Sequence, residues 1–171
     1  MSSEAISAEG KNKKTVRRFY EEVFGQGSNL DAVEEIFASN YVLHDRDQDP
    51  AQVVHPPAGV DPVHGPAGIK DWVESFQDSF SDLQVSIIED PMAVEGDRVV
   101  TRFAVSGSFE GTRADWEGMS LSQFSEEGKI TESWSYWESG RMYEQLGYFA
   151  KMDMVPRDPK DPHHWRRPPR G

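Results

Sequence analysis

The stretch from Leu83 to Trp137 constrains this chain more than any other, because it reads as consecutive β-strands joined by short turns. Glu95-Gly96-Asp97 separates Ser86–Ile88 and its extension from Arg98–Val105, and Glu126-Glu127-Gly128-Lys129 separates Leu121–Phe124 from Ile130–Trp137. Val, Ile, Phe, Thr and Trp between Gly/Asp turns are the pattern of an antiparallel meander. Trp134, Tyr136 and Trp137 crowd the last strand. Such a chain forms one curved sheet with helices packed on one side, and function is to be sought inside the curve.

The first half supplies the helices. Val16, Phe19, Tyr20, Val23 and Phe24 fall at helical spacing, and Gly25 and Gly27 end the run. Ser28 or Asn29 caps a second helix with Leu30, Val33, Ile36 and Phe37 inward. A short strand follows at Asn40–Asp45. Residues 45–65 form a loop with four prolines and two glycines, long enough to suggest a lid or pocket wall. Gly68 opens a third helix with Ile69, Trp72, Val73, Phe76 and Phe80 on one face, and Gly140–Leu146 forms a last short one. The expected organisation is a flexible N-terminus over residues 1–11, one domain over 12–150, and a Pro/Arg-rich tail over 151–171. That tail sets Arg157, Lys160, Arg166, Arg167 and Arg170 against Asp158 and Asp161, and it is read as disordered or as a basic arm for its own or a neighbouring subunit.

Several chemistries are disfavoured. A net charge of -12 repels phosphate backbones, so no nucleic-acid partner is expected. The chain has no cysteine, which removes disulfides, thiolate metal sites and cysteine nucleophiles. The histidines His44, His55, His64, His163 and His164 show no His-x-x-x-His pair on a helix, so no metal is expected. Ser106-Gly107-Ser108 is not a nucleophile elbow, and no glycine-rich phosphate loop is present, so no cofactor is expected either. Without an apolar run of membrane-spanning length or a visible signal peptide, the expected location is cytoplasmic with no membrane partner.

What remains is a concave space lined by alternate strand residues. Phe103, Trp116, Ser120, Ser122, Ser135 and Trp137 are candidates for it, and a filled core is the alternative. Aromatic walls with a few hydroxyls suit a small, mostly apolar ligand. Serines facing a core need partners.

The order helix, helix, strand, long loop, helix, four strands carries six phrases in sequence. They are Thr15-Val-Arg-Arg-Phe-Tyr, Ala38-Ser-Asn-Tyr-Val-Leu-His-Asp, His64-Gly-Pro-Ala-Gly-Ile-Lys, Glu95-Gly-Asp-Arg-Val-Val, Gly128-Lys-Ile-Thr-Glu-Ser-Trp and Gln145-Leu-Gly. In these the chain resembles the SnoaL-like polyketide cyclase family of the nuclear transport factor 2-like superfamily. The resemblance implies an α+β cone: a curved antiparallel sheet, three to four helices, a central pocket and a homodimer or higher oligomer. It also implies an aldol-type ring closure with an aspartate acid/base on the last strand, which falls at Ser135. The family's pocket histidine falls at Ser120 and a polar first-strand residue at Leu43. The expected lining is then Tyr41, Leu43, Trp72, Phe103, Trp116, Ser120, Ser135 and Trp137. Serine is a poor proton acceptor near neutral pH, so the candidate acid/base is Asp45, assisted by His44 or His64; the alternative is that these strand-end groups only satisfy loop backbone. The expected function is binding of a small hydrophobic or polyketide-like molecule. Either a cofactor-independent cyclase, isomerase, lyase or hydratase acts on it, or a non-catalytic protein binds it. On the opposite face of the last strand, Ile130, Glu132, Trp134 and Tyr136 are expected to meet a partner subunit or the chain's own tail.

Overall fold

A computed structural model describes residues 8–25, 29–45 and 63–148, with side chains for all of these except 45 and 89–93. The 46–62 segment, the tail and most of the N-terminus lie outside the described residues.

Helix α1 spans Ala8–Arg18 and runs directly into a π-helical turn, Phe19–Phe24. A 3₁₀ turn, Leu30–Ala32, leads into the single-turn helix α2, Val33–Ile36. Phe37, expected on that helix, is instead extended (φ −106°, ψ 144°) and opens strand β1, Phe37–Asp45. The short strand β2, Val63–His64, precedes helix α3, Gly65–Ser79. That helix starts earlier than expected because Gly65 turns the chain at φ +66° and Pro66 occupies the first helical turn. Phe80, expected on the helix face, is the extended residue that stops the helix, and it stays buried.

Strands β3 (Ser81–Glu95), β4 (Arg98–Phe109), β5 (Thr112–Phe124) and β6 (Ile130–Trp137) follow, and helix α4, Ser139–Gln145, closes the order. Strands β4 and β5 meet in a two-residue hairpin, Glu110–Gly111, with both φ values positive. They extend well past the expected ends because Ser106, Ser108 and Thr112–Asp115 break the apolar pattern while still pairing across the ladder.

The sheet order is β2-β1-β6-β5-β4-β3. All neighbours are antiparallel except β1 and β6, which are parallel, so the sheet is mixed rather than wholly antiparallel. The cause is the path of the chain. Helix α3 carries it to the far edge at β3, and three hairpins then walk it back until β6 lies beside β1.

The helices cover one face. Val16, Tyr20, Val23 and Phe24 meet Ile69, Val73 and Phe76 of α3 and Val99, Phe103, Val105 and Phe124 of the sheet, all buried. At the rim, Arg18 bridges Glu22 and Glu35, which raises the guanidinium pKa through both hydrogen bonds. Lys70 holds Glu34 at 2.5 Å and keeps that carboxyl below its ordinary value. A depressed carboxyl stabilises the fold above its unfolded pKa and loses that contribution as pH falls through the folded value. The pair is exposed, so the effect is small. Among the described residues no helix is long and apolar enough to cross a membrane.

Candidate functional site

The π-helical turn sets one wall of an internal cavity. Phe19, Tyr20 and Phe24 of this turn line the cavity together with Val16 of α1, and such turns are frequent at functional sites. Phe37, Tyr41 and Leu43 of β1 and Ile69 and Trp72 of α3 add further walls. Phe103 and Trp137 close the space from β4 and β6, with ring centroids 4.9 Å apart in an edge-to-face contact.

The floor is polar. Ser120 and Ser122 of β5 lie directly opposite Ser135 and Ser133 of β6, and all four line the cavity. Three of the four hydroxyls have a clear partner: Ser120 shares a hydrogen bond with the Tyr20 hydroxyl at 2.8 Å, and Ser122 and Ser133 share one with each other at 3.2 Å. Ser133 belongs to this floor by simple alternation from Ser135, a signal that sequence reading passed over. Tyr20 carried no such signal, because helical spacing marks it only as a packing residue.

The enclosed volume is about 20 Å³, room for roughly one water molecule. No carboxylate, imidazole, amine or guanidinium lies among its described lining residues.

Seven of the expected lining residues come together here: Tyr41, Leu43, Trp72, Phe103, Ser120, Ser135 and Trp137. The eighth, Trp116, does not. It is buried against Phe80 and Phe76, at centroid distances of 5.1 and 6.3 Å, and it borders an open depression of about 500 Å³ instead. Within that depression Arg141 is held by Asp115 at 2.5 Å.

The expected acid/base group separates. His44 faces away from Leu43, because neighbours on a strand point to opposite sides. On that outer face its Nε2 meets Glu132 at 2.7 Å and its ring stacks on Trp134 at 5.2 Å. His64 is exposed at the start of α3 and is not among the lining residues. Asp45 has its Cα registered against Ser135, and its side chain lies outside the described residues. Among the described residues no three His, Asp or Glu side chains converge as a metal site would require.

On the outer face Trp134 is half-buried and Tyr136 is 63% exposed, whereas Ile130 is buried and lines the cavity. The correction at Ile130 has a local cause. Gln123 pairs with Glu132 but Phe124 with Ile130, so β6 carries an extra residue at Thr131 and alternation reverses there.

A curved sheet closed by helices over a small central cavity defines an α+β cone of the nuclear transport factor 2-like kind. The chain belongs to the SnoaL-like domain family, whose model matches residues 16–133. Among solved structures it is similar to wild-type IdmH, a candidate polyketide cyclase from Streptomyces antibioticus, at 24% identity and TM-score 0.63 over 80% of this chain and 98% of that one. A candidate polyketide cyclase from Acidithiobacillus ferrooxidans aligns at 23% identity and TM-score 0.65, covering 86% and 99%. A SnoaL-like candidate cyclase from Jannaschia aligns at 19% and 0.63, covering 81% and 92%. At these identities the likeness concerns the fold. No curated protein matches the chain.

Proposed function

We propose that this protein binds a small, mostly hydrophobic, polyketide-like molecule in the cavity between the π-helical turn, α3 and the sheet. The observation that carries the reading is the composition of that cavity: aromatic walls over a floor of four serines, with no charged side chain among its described lining. A core needing only to pack gains little from four hydroxyls, which must be hydrogen-bonded to be buried without cost, as Ser120, Ser122 and Ser133 are here. Binding sites for small molecules typically enclose roughly 300–1,000 Å³, so ligand entry must spread the aromatic rings that now touch. Trp72 and Trp137 are among those rings, and their fluorescence should report it. Titration with a panel of aromatic ketones and polyketide fragments is expected to give saturable changes in tryptophan emission. A flat response across the panel would remove the binding reading.

A catalytic reading has one observation in its favour. Asp45 ends β1 in register with Ser135, the position at which the family's acid/base falls. If the bound molecule is also converted, as a cofactor-independent cyclase, isomerase or lyase would do, Asp45→Asn should lower turnover by ~10²-fold or more. Circular dichroism should show the fold intact. Full turnover in that variant would leave the non-catalytic binding protein as the better account.

The same proposal includes a homodimer formed through the outer sheet face. Met119 and Tyr136 lie opposite each other there, 46% and 63% exposed, beside Leu121 and Trp134. Burying large apolar side chains contributes about 1.5–3 kcal/mol each. Sedimentation is expected to show a dimer at micromolar concentration and a monomer for the Met119→Lys, Tyr136→Lys double variant. A monomeric wild type would sink this part and leave the cavity reading untouched.

A further inference from the structure

Two indole N–H groups give the cavity a chemical preference. Trp72 and Trp137 both line it, and both Nε1 atoms are buried with no hydrogen-bond partner among the described residues. Both rings pack against neighbouring aromatic side chains. Trp72 packs on Phe24 at 5.1 Å and on Phe76 at 5.7 Å. Trp137 stacks on Phe76 at 5.5 Å and meets Phe103 edge-on at 4.9 Å. The two indoles stand 6.3 Å apart, centroid to centroid.

An indole N–H can only donate, whereas the serine and tyrosine hydroxyls around it can donate or accept. Leaving such a donor buried and unmade costs about as much as a lost hydrogen bond, and among the described residues two neighbouring indoles carry such a donor. An apolar replacement of similar shape would avoid that cost. The donors therefore select for a ligand that brings acceptor atoms. The lining also restricts the charge of that acceptor. No arginine, lysine or histidine is present among the described lining residues, so a carboxylate or phosphate would be stripped of water without a counter-charge, at high cost.

We infer that Trp72 and Trp137 form a two-donor clamp for the neutral carbonyl oxygens of the ligand, so that the cavity selects ketones, quinones or esters over hydrocarbons and over anions of the same shape. This rests on the ligand-binding reading above and deepens it. The indoles act by positioning the carbonyl, with the serine floor, which adjoins Trp137 on the sheet, able to accept from a ligand hydroxyl.

The test uses the intact wild-type chain and three bicyclic probes: 1-tetralone, its hydrocarbon counterpart tetralin, and the carboxylate 1-naphthoate. Nitrogen-15 correlation spectra resolve tryptophan indole N–H signals, and Trp72→Phe and Trp137→Phe spectra assign the two that matter. Tetralone is expected to move both signals downfield in a saturable manner and to bind about 2- to 10-fold more tightly than tetralin. Naphthoate is expected to bind most weakly. In each Phe variant the ratio of tetralone to tetralin affinity should fall toward one. Equal binding of tetralone and tetralin, with unshifted indole signals, would overturn the clamp and preserve the cavity. Indole signals already at hydrogen-bonded positions in the free protein would also overturn it, showing that another part of the chain takes these donors. Failure of all three probes to perturb any cavity signal would overturn the binding reading, and the clamp with it. The wild-type affinities for tetralone, tetralin and naphthoate decide the matter even if a variant fails to fold.

Discussion

Gly118→Ala is expected to destabilise the protein by about 1–3 kcal/mol, and most of that loss should be tied to one ring. Gly118 lies opposite Phe103 across the β4–β5 ladder. A Cβ at position 118 would come within 2.4 Å of the Phe103 ring and 3.0 Å of the Tyr136 carbonyl oxygen. The ring retreats only at the expense of its neighbours, because it stacks on Tyr20 and abuts Trp137, each at 4.9 Å. An added methyl would therefore push Phe103 further into an already tight cavity. Phe103→Ala should itself cost about 3–5 kcal/mol and enlarge the cavity. In that background Gly118→Ala should become nearly harmless apart from the Tyr136 contact, giving a coupling of about 1 kcal/mol or more in the double-mutant cycle. Chemical denaturation of the four proteins measures it, and additive losses would show that the Phe103 contact does not govern this position.

Trp116→Ala should cost about 3–5 kcal/mol without changing which ligands the cavity prefers. Trp116 is 2% exposed and wedges β5 against Phe76 and Phe80, yet it is absent from the cavity lining. Thermal unfolding together with probe binding, at a temperature where the variant remains folded, separates the two roles. A lost ketone preference with little loss of stability would mean that Trp116 contributes to the site after all.

Much of the architecture was legible because it depends on short-range chemistry. Gly96 and Gly128 adopt φ values of +61° and +82°, conformations that glycine takes at little cost, so the two turns that frame the meander announced themselves. Ile69, Val73 and Phe76 recur at helical spacing and are buried on α3. Ser120, Ser135 and Trp137 were found because alternation along a strand has a fixed period.

The errors cluster where that period is interrupted or a distant partner decides. One added residue at Thr131 turns Ile130 inward, and the bulge exists only against the register with β5. His44 was grouped with Asp45 by adjacency, but its environment is set by Glu132, 88 residues further along the chain. Tyr20 joins the site through Ser120, 100 residues away, and through a π-helical turn that helical spacing does not distinguish from an ordinary helix. The parallel pairing of β1 with β6 likewise follows from the return path of three hairpins. Dihedral preference and side-chain period act over a few residues, and they set the helices, the strands and the apolar faces. Register, bulges and the closing of aromatic rings over four serines arise only when segments far apart in the chain compete for the same space, so the cavity and its two indole donors, unpaired among the described residues, belong to the tertiary structure.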